Sequence, residues 1–214
     1  MKWLYGNAWE KFPIEEGESW GIPANGSRVA VHDIFNPLPQ FMMDADLIFS
    51  DPPWNLGNVN SFYTKAERDD YPSSFSIFED VLFERLRQIN PRTLYLEVGF
   101  QAVERWQKML DGMYPCVQRW QTTYYRKHRC YVLRGGHASI AYDFDGIDEA
   151  KVIEIVGKIE DYQTMGDLCM GTGLVGLSAF AAGRRFVGTE LNKRRLAMLL
   201  DKLASKGADV QKFA

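Results

Sequence analysis

The feature that most constrains this chain is a glycine-rich turn set between a short apolar strand and a helix. Met165-Gly166-Asp167-Leu168-Cys169 reads as the strand, Gly171-Thr172-Gly173-Leu174-Val175-Gly176 as the turn, and Leu174 to Ala182 as the helix. Arg185 to Glu190 reads as the following strand, and Glu190 stands 17 residues after Gly173. Glycines at such a turn let the backbone approach a ligand, and an acid closing the second strand can accept both hydroxyls of a ribose. Two details narrow the ligand. A dinucleotide site normally opens its domain and needs further strands behind it, whereas only 38 residues follow Gly176. Asp167 leads into the turn, where an acid repels a pyrophosphate but suits a cation.

The rest of the chain alternates strands and helices around this unit. Strands are expected at Arg28 to His32, Asp46 to Ser50 and Thr93 to Val98, with a hairpin from Val117 to Tyr125 and Cys130 to Leu133. Helices are expected at Ile77 to Gln88, Gln101 to Leu110, Asp148 to Ile159 and Arg194 to Ser205. That order predicts an α/β fold with a mostly parallel sheet covered on both faces and one antiparallel hairpin edge. Residues 1–27, with Trp3, Trp9 and Trp20 among Gly and Pro, read as an irregular aromatic arm; 28–214 read as one domain, with halves at 28–134 and 148–205. Residues 55–75 are rich in Asn, Ser, Gly, Asp and Pro and read as a long loop, a lid in many compact domains.

Composition sets the outer limits. A hydrophobic share of 46% over 214 residues is enough for one folded core, and no apolar run approaches a membrane span. The first residues lack the apolar centre of a signal peptide, and Cys116, Cys130 and Cys169 form no C-x-x-C pair, so a cytoplasmic protein without structural zinc or disulfides is expected. The net charge of -3 argues against nucleic-acid binding unless a local patch overcomes it. One candidate is present: Arg119, Arg126, Lys127, His128, Arg129 and Arg134 fall within 16 residues, among Trp120, Tyr124, Tyr125 and Tyr131. Tyr124, Arg126, Lys127 and Arg129 are the expected substrate contacts from this hairpin; the competing reading is a solvated hairpin over packed aromatics. His128 and His137 read as surface residues.

Asp51-Pro52-Pro53-Trp54 ends the strand Leu47-Ile48-Phe49-Ser50. An exocyclic amine on a nucleobase is a poor nucleophile because its lone pair is conjugated into the ring. Two acceptors aimed at its hydrogens draw the nitrogen toward tetrahedral geometry and free that pair. The Asp51 carboxylate and the Pro52 carbonyl can be those acceptors. The prolines, Pro53 included, stiffen the turn, and Trp54 offers a face for a base to stack on.

With both segments in hand, the chain resembles the amino-methyltransferases, which include the DNA adenine and cytosine methylases. Asp51-Pro52-Pro53-Trp54 resembles their catalytic motif, and its leading Asp leans toward adenine. Asp167 to Gly173, with Cys169 and Gly171, resembles their cofactor motif, Phe186 to Glu190 the strand ending in the ribose-binding acid, and His32-Asp33 a pair whose acid lies near the cofactor adenine. The catalytic motif precedes the cofactor motif, as in the circularly permuted beta group and the messenger-RNA adenine methylases. The resemblance covers about residues 28–205. It implies a Rossmann-like methyltransferase fold, S-adenosylmethionine as cofactor, DNA more readily than RNA as substrate, adenine more readily than cytosine as target, and a homodimer or a partner subunit. A catalytically silent partner module would share the fold, but the intact Asp51 and cofactor turn speak against it. A nicotinamide-dependent oxidoreductase is disfavoured by Asp167 and by the order of the two motifs.

Two departures from the family bear on specificity. Leu133 and Asp167 are 34 positions apart, and most of that span reads as one helix, which leaves almost no room for a target-recognition segment. No Gln-Lys-Pro element precedes that helix. A short or relaxed target, or specificity supplied by a partner, is therefore expected. Asn55 is expected to order the lid or touch a ligand, and Asn192 to bond an adenosyl group or to cap the last helix.

Overall fold

In the computed structural model, which describes residues 5–213, the chain folds as α1 (Ala8–Lys11), β1 (Ser19–Ile22), β2 (Ser27–Val31), β3 (Leu47–Ser50), α2 (Leu56–Lys65), α3 (Phe75–Ile89), β4 (Thr93–Val98) and α4 (Val103–Asp111). It continues through β5 (Cys116–Tyr124), β6 (His128–Gly136), α5 (Glu149–Ile159), β7 (Thr164–Asp167), α6 (Leu174–Ala181), β8 (Arg185–Glu190), α7 (Lys193–Ser205) and β9 (Gln211–Lys212). The strands form one sheet in the order β5-β6-β4-β3-β7-β8-β2-β1-β9.

The five central strands, β4-β3-β7-β8-β2, are parallel. The expected antiparallel hairpin, β5 with β6, extends one edge by pairing β6 with β4. The other edge is also antiparallel, which corrects the expectation of a single such edge: β1 pairs with β2, and β9 with β1. The aromatic arm is thus partly ordered into the fold. Its segment Ser19–Ile22 is a sheet strand, and α1 packs on α7. Trp3 lies outside the described residues.

The central strands are apolar on both sides because both faces are covered. Leu47 and Phe49 point into a core with α5, α6 and α7, while Ile48 points into a second core with α2, α3 and α4. On β4 the same period of two sends Leu94, Leu96 and Val98 to the second core and Tyr95 to the first. Among the described residues no helix is long and apolar enough to cross a membrane.

The segment expected to be a loop at 55–75 contains α2. Asn55 is its N-cap, with Oδ1 accepting from the Asn58 amide at 2.9 Å, and Val59 and Tyr63 bury one face of the helix. The polar composition pointed to a loop. An i, i+4 apolar pair behind an Asn cap was enough to make a helix once a sheet face stood ready to cover it.

Candidate active site

The parallel strands bring their C-terminal ends to one side of the sheet, where open α/β folds place ligands. β3 runs into Asp51, β7 ends at Asp167, β8 ends at Glu190, and β2 runs into His32 and Asp33. A cavity of about 800 Å³ opens there, in the size range of small-molecule sites. Asp33, Asp51, Pro52, Pro53, Trp54, Tyr124, Asp167, Cys169, Gly171 and Glu190 all line it. Residues more than 100 positions apart in the chain therefore face one space.

At the glycine-rich turn, the carboxylates hold the backbone. Glu190 accepts from the Gly171 amide at 2.6 Å and from the Asn192 amide at 2.9 Å. Asp167 accepts from the Ser50 hydroxyl at 2.7 Å and the Cys169 amide at 2.9 Å, which couples the turn to β3. Burial pushes the Asp167 carboxyl up to about 7, against the pull of those two donors. Burial also raises Glu190, with Arg195 opposing it.

The two glycines of the turn differ. Gly171 has φ +54 and open space where a side chain would be, on the cavity wall. Gly173 has φ +83, begins α6, and is pressed by α7, so that a Cβ there would fall 2.4 Å from the Leu199 side chain. Open space thus lies beside Gly171, whereas the space beside Gly173 is taken by the Leu199 side chain.

At the other end, the Trp54 indole N–H donates to Asp51 Oδ1 at 2.9 Å and so fixes the carboxylate's rotation. The Trp54 ring meets Tyr124 edge to face, with centroids 5.3 Å apart, and Tyr124 rests on Tyr125. Burial pushes the Asp51 carboxyl well up, and the neighbouring Glu149 charge adds to the shift.

Asp33 lines the cavity and ties α2 and the turn after it to the end of β2: its Oδ1 accepts from the Phe35 amide at 3.0 Å and the Tyr63 hydroxyl at 2.7 Å, and Arg68 lies 3.4 Å from Oδ2. Two expected contacts sit off the cavity. Asn55 spends its side chain capping α2. Asn192 caps α7 by accepting from Arg194 and Arg195, and its amide donates to the Lys65 carbonyl and the Tyr5 hydroxyl.

The basic cluster is smaller than its spacing suggested. Arg134 is buried, bonded to Glu160 at 2.7 Å and to the Ala138 carbonyl, and Arg119 pairs with Glu104. A buried guanidinium with those partners is part of the scaffold, so Arg134 leaves the surface group. Arg126, Lys127, His128 and Arg129 are exposed at the hairpin tip, next to Tyr124 and Tyr125 at the cavity.

Two acids escaped the sequence reading. Glu149 opens α5 and lines the cavity; Glu97 sits fully buried on β4. One oxygen each from Asp51, Glu97 and Glu149 lie within 4.8 Å of one another, a spacing a divalent cation would also span. An acid inside the apolar run Thr93 to Val98 was a signal for Glu97, whereas nothing in the spacing of Glu149 relates it to Asp51.

No protein-family model matches the chain, and no curated protein matches it. Solved structures do. M1.HpyAVI in complex with S-adenosylmethionine superposes with a TM-score of 0.56 at 14% identity, covering 82% of this chain and 98% of its own. TTHA0409 from Thermus thermophilus, a provisionally assigned DNA modification methylase complexed with S-adenosyl-L-methionine, gives 0.59 at 16% identity, covering 84% and 94%. At such identities the likeness is one of fold: this chain is built on the same α/β architecture as these two S-adenosylmethionine-bound proteins.

Proposed function

We propose that this chain is an S-adenosylmethionine-dependent methyltransferase acting on the exocyclic amine of adenine in DNA. The observation that carries the reading is that Asp51-Pro52-Pro53-Trp54 and the Asp167–Glu190 turn open into one cavity. The residues fit the cofactor. Gly171 leaves room for close approach, Glu190 ends a strand where a ribose acid belongs, and Asp167 offers buried negative charge to a cationic amino-acid end. When bound, the cofactor supplies a methyl group on a sulfonium.

The chain's own residues prepare the amine. Asp51, its rotation set by Trp54, accepts one N–H, and the Pro52 carbonyl is the second acceptor. A cationic ligand nearby favours the charged form of Asp51 against the cost of burial. Trp54 and Tyr124 offer aromatic faces to a base that has left its stack, as a base in a duplex must. Arg126, Lys127 and Arg129 at the tip can hold phosphates, which position a strand without reading sequence. This fits a short or relaxed target, or one set by a partner subunit.

The test is transfer of labelled methyl groups from S-adenosylmethionine to DNA, RNA and free nucleosides, followed by nucleoside analysis. N6-methyladenine in DNA, lost in Asp51→Ala while the protein keeps its fold, is the expected result. Methylation confined to RNA or to cytosine would replace the substrate, and no transfer at all would remove the enzyme reading.

A further inference from the structure

Three carboxylates share one end of the cavity, and they are not equivalent. Asp51 has Oδ1 engaged by Trp54. Glu97 is fully buried, and among the described residues no N–H or O–H donates to either of its oxygens; only the Cys130 thiol, a weak donor, stands beside it. Glu149 is half-buried and lines the cavity. Its position is set by its neighbour: Asp148 accepts from the Arg126 amide at 2.6 Å and from Thr123 at 3.3 Å, tying the start of α5 to the hairpin tip. Such a cluster needs a ligand that brings N–H donors or positive charge, because buried acids without partners are costly. A nucleobase amine undergoing methylation brings both.

We propose that Glu149 is the proton acceptor of the transfer, an assignment that rests on the methyltransferase reading above. As the N–CH3 bond forms and the S–CH3 bond of the sulfonium donor breaks, the amine nitrogen carries positive charge and two protons. One proton passes to a Glu149 oxygen. The products are the methylamino base, the neutral thioether and a Glu149 carboxylic acid, which returns its proton to water. Glu149 is placed for this because it alone of the three joins the reacting end to the open cavity without being fully buried or held by Trp54.

Burial, with the Asp148 charge, pushes the Glu149 carboxyl up to about 7, suited to taking and releasing a proton near neutrality. The groups that face it are Asp148 on its own element, Asp51 beyond β3, Glu97 on β4, Tyr124 on β5 and Asp167 at the end of β7. Arg195 on α7 opposes them at Asp51.

The experiment compares the wild type with Glu149→Gln and Glu149→Asp. Glu149→Gln should retain its fold and its calorimetric affinity for S-adenosylhomocysteine while kcat falls about 100-fold or more, the usual size of a general-base contribution. The wild-type rate should rise with pH through about 7, as the carboxylate form accumulates; that limb should vanish in Glu149→Gln and return in part in Glu149→Asp. Independent of activity, carboxyl NMR on 13C-glutamate-labelled protein should show one glutamate titrating near pH 7 that is missing from Glu149→Gln. An active wild type with Glu149→Gln equal to it at every pH overturns this assignment alone. Transfer that requires magnesium and stops with chelator makes the three acids a cation site and also overturns it. A wild type that methylates nothing overturns the function first.

Discussion

Replacing Gly173 with alanine tests why the turn needs glycine. The residue sits at φ +83, a conformation that costs an L-residue about 1–2 kcal/mol. The added methyl would also lie 2.4 to 2.7 Å from Leu199 side-chain atoms, and Leu199 is fully buried in the core beneath α7. Overpacking of this kind costs about 1–3 kcal/mol. Together the two terms predict a loss of roughly 2–5 kcal/mol, a large share of the stability of an ordinary domain. In a chain of this length that corresponds to a fall in Tm of roughly 4–20 °C. Gly171→Ala, at φ +54 with open space around the new methyl, should lose only the backbone part, about 1–2 kcal/mol. Urea denaturation of both variants, with Leu199→Ala and the Gly173→Ala/Leu199→Ala pair, separates the terms. Leu199→Ala alone opens a cavity; in the pair the new methyl occupies part of it, so the two changes should couple favourably by about 1–3 kcal/mol. Equal stabilities for Gly171→Ala and Gly173→Ala, or strict additivity in the pair, would refute the packing argument.

The carboxylates and the hairpin tip can be tested in the same way. Asp167 titrates at about 7 in the fold, against an ordinary value of 3.8, so the native state holds the proton longer and stability should decline as pH rises between those two values. Asp167→Asn should flatten that decline by up to about 4 kcal/mol in denaturation curves measured across the range; an unchanged slope would show the carboxyl is not buried as described. Glu190→Ala removes the acceptor of the Gly171 and Asn192 amides and should weaken S-adenosylmethionine binding by about 1–3 kcal/mol, measured by calorimetry, with unchanged affinity counting against a ribose acid. Arg126→Ala with Lys127→Ala should weaken DNA binding about equally across sequences and reduce its salt dependence; a loss confined to one sequence would mean the tip reads bases.

Much of this protein was legible along the chain because the signals are local. The Asp-Pro-Pro-Trp segment behind a buried strand, the glycines before α6, and the apolar spacing of α3, α4, α5 and α7 are all consequences of backbone preference and side-chain period, and neighbouring residues suffice to express them. The acid at the end of β8 follows from the same logic. What only the tertiary structure decided involves partners distant in sequence. Asn192 is turned away from the cavity by a cap and by the Lys65 carbonyl, and Arg134 is drawn inward by Glu160. Ser19–Ile22 becomes a strand because the edge of β2 is there to pair with, and α2 forms because a sheet face covers Val59 and Tyr63. The meeting of Asp51, Glu97 and Glu149 has no trace in their spacing: the pairing of β3 with β4 and the tie of the start of α5 to the β5–β6 hairpin bring the three acids within 4.8 Å. Local sequence sets what each segment prefers, and through-space packing sets which charges must share a cavity.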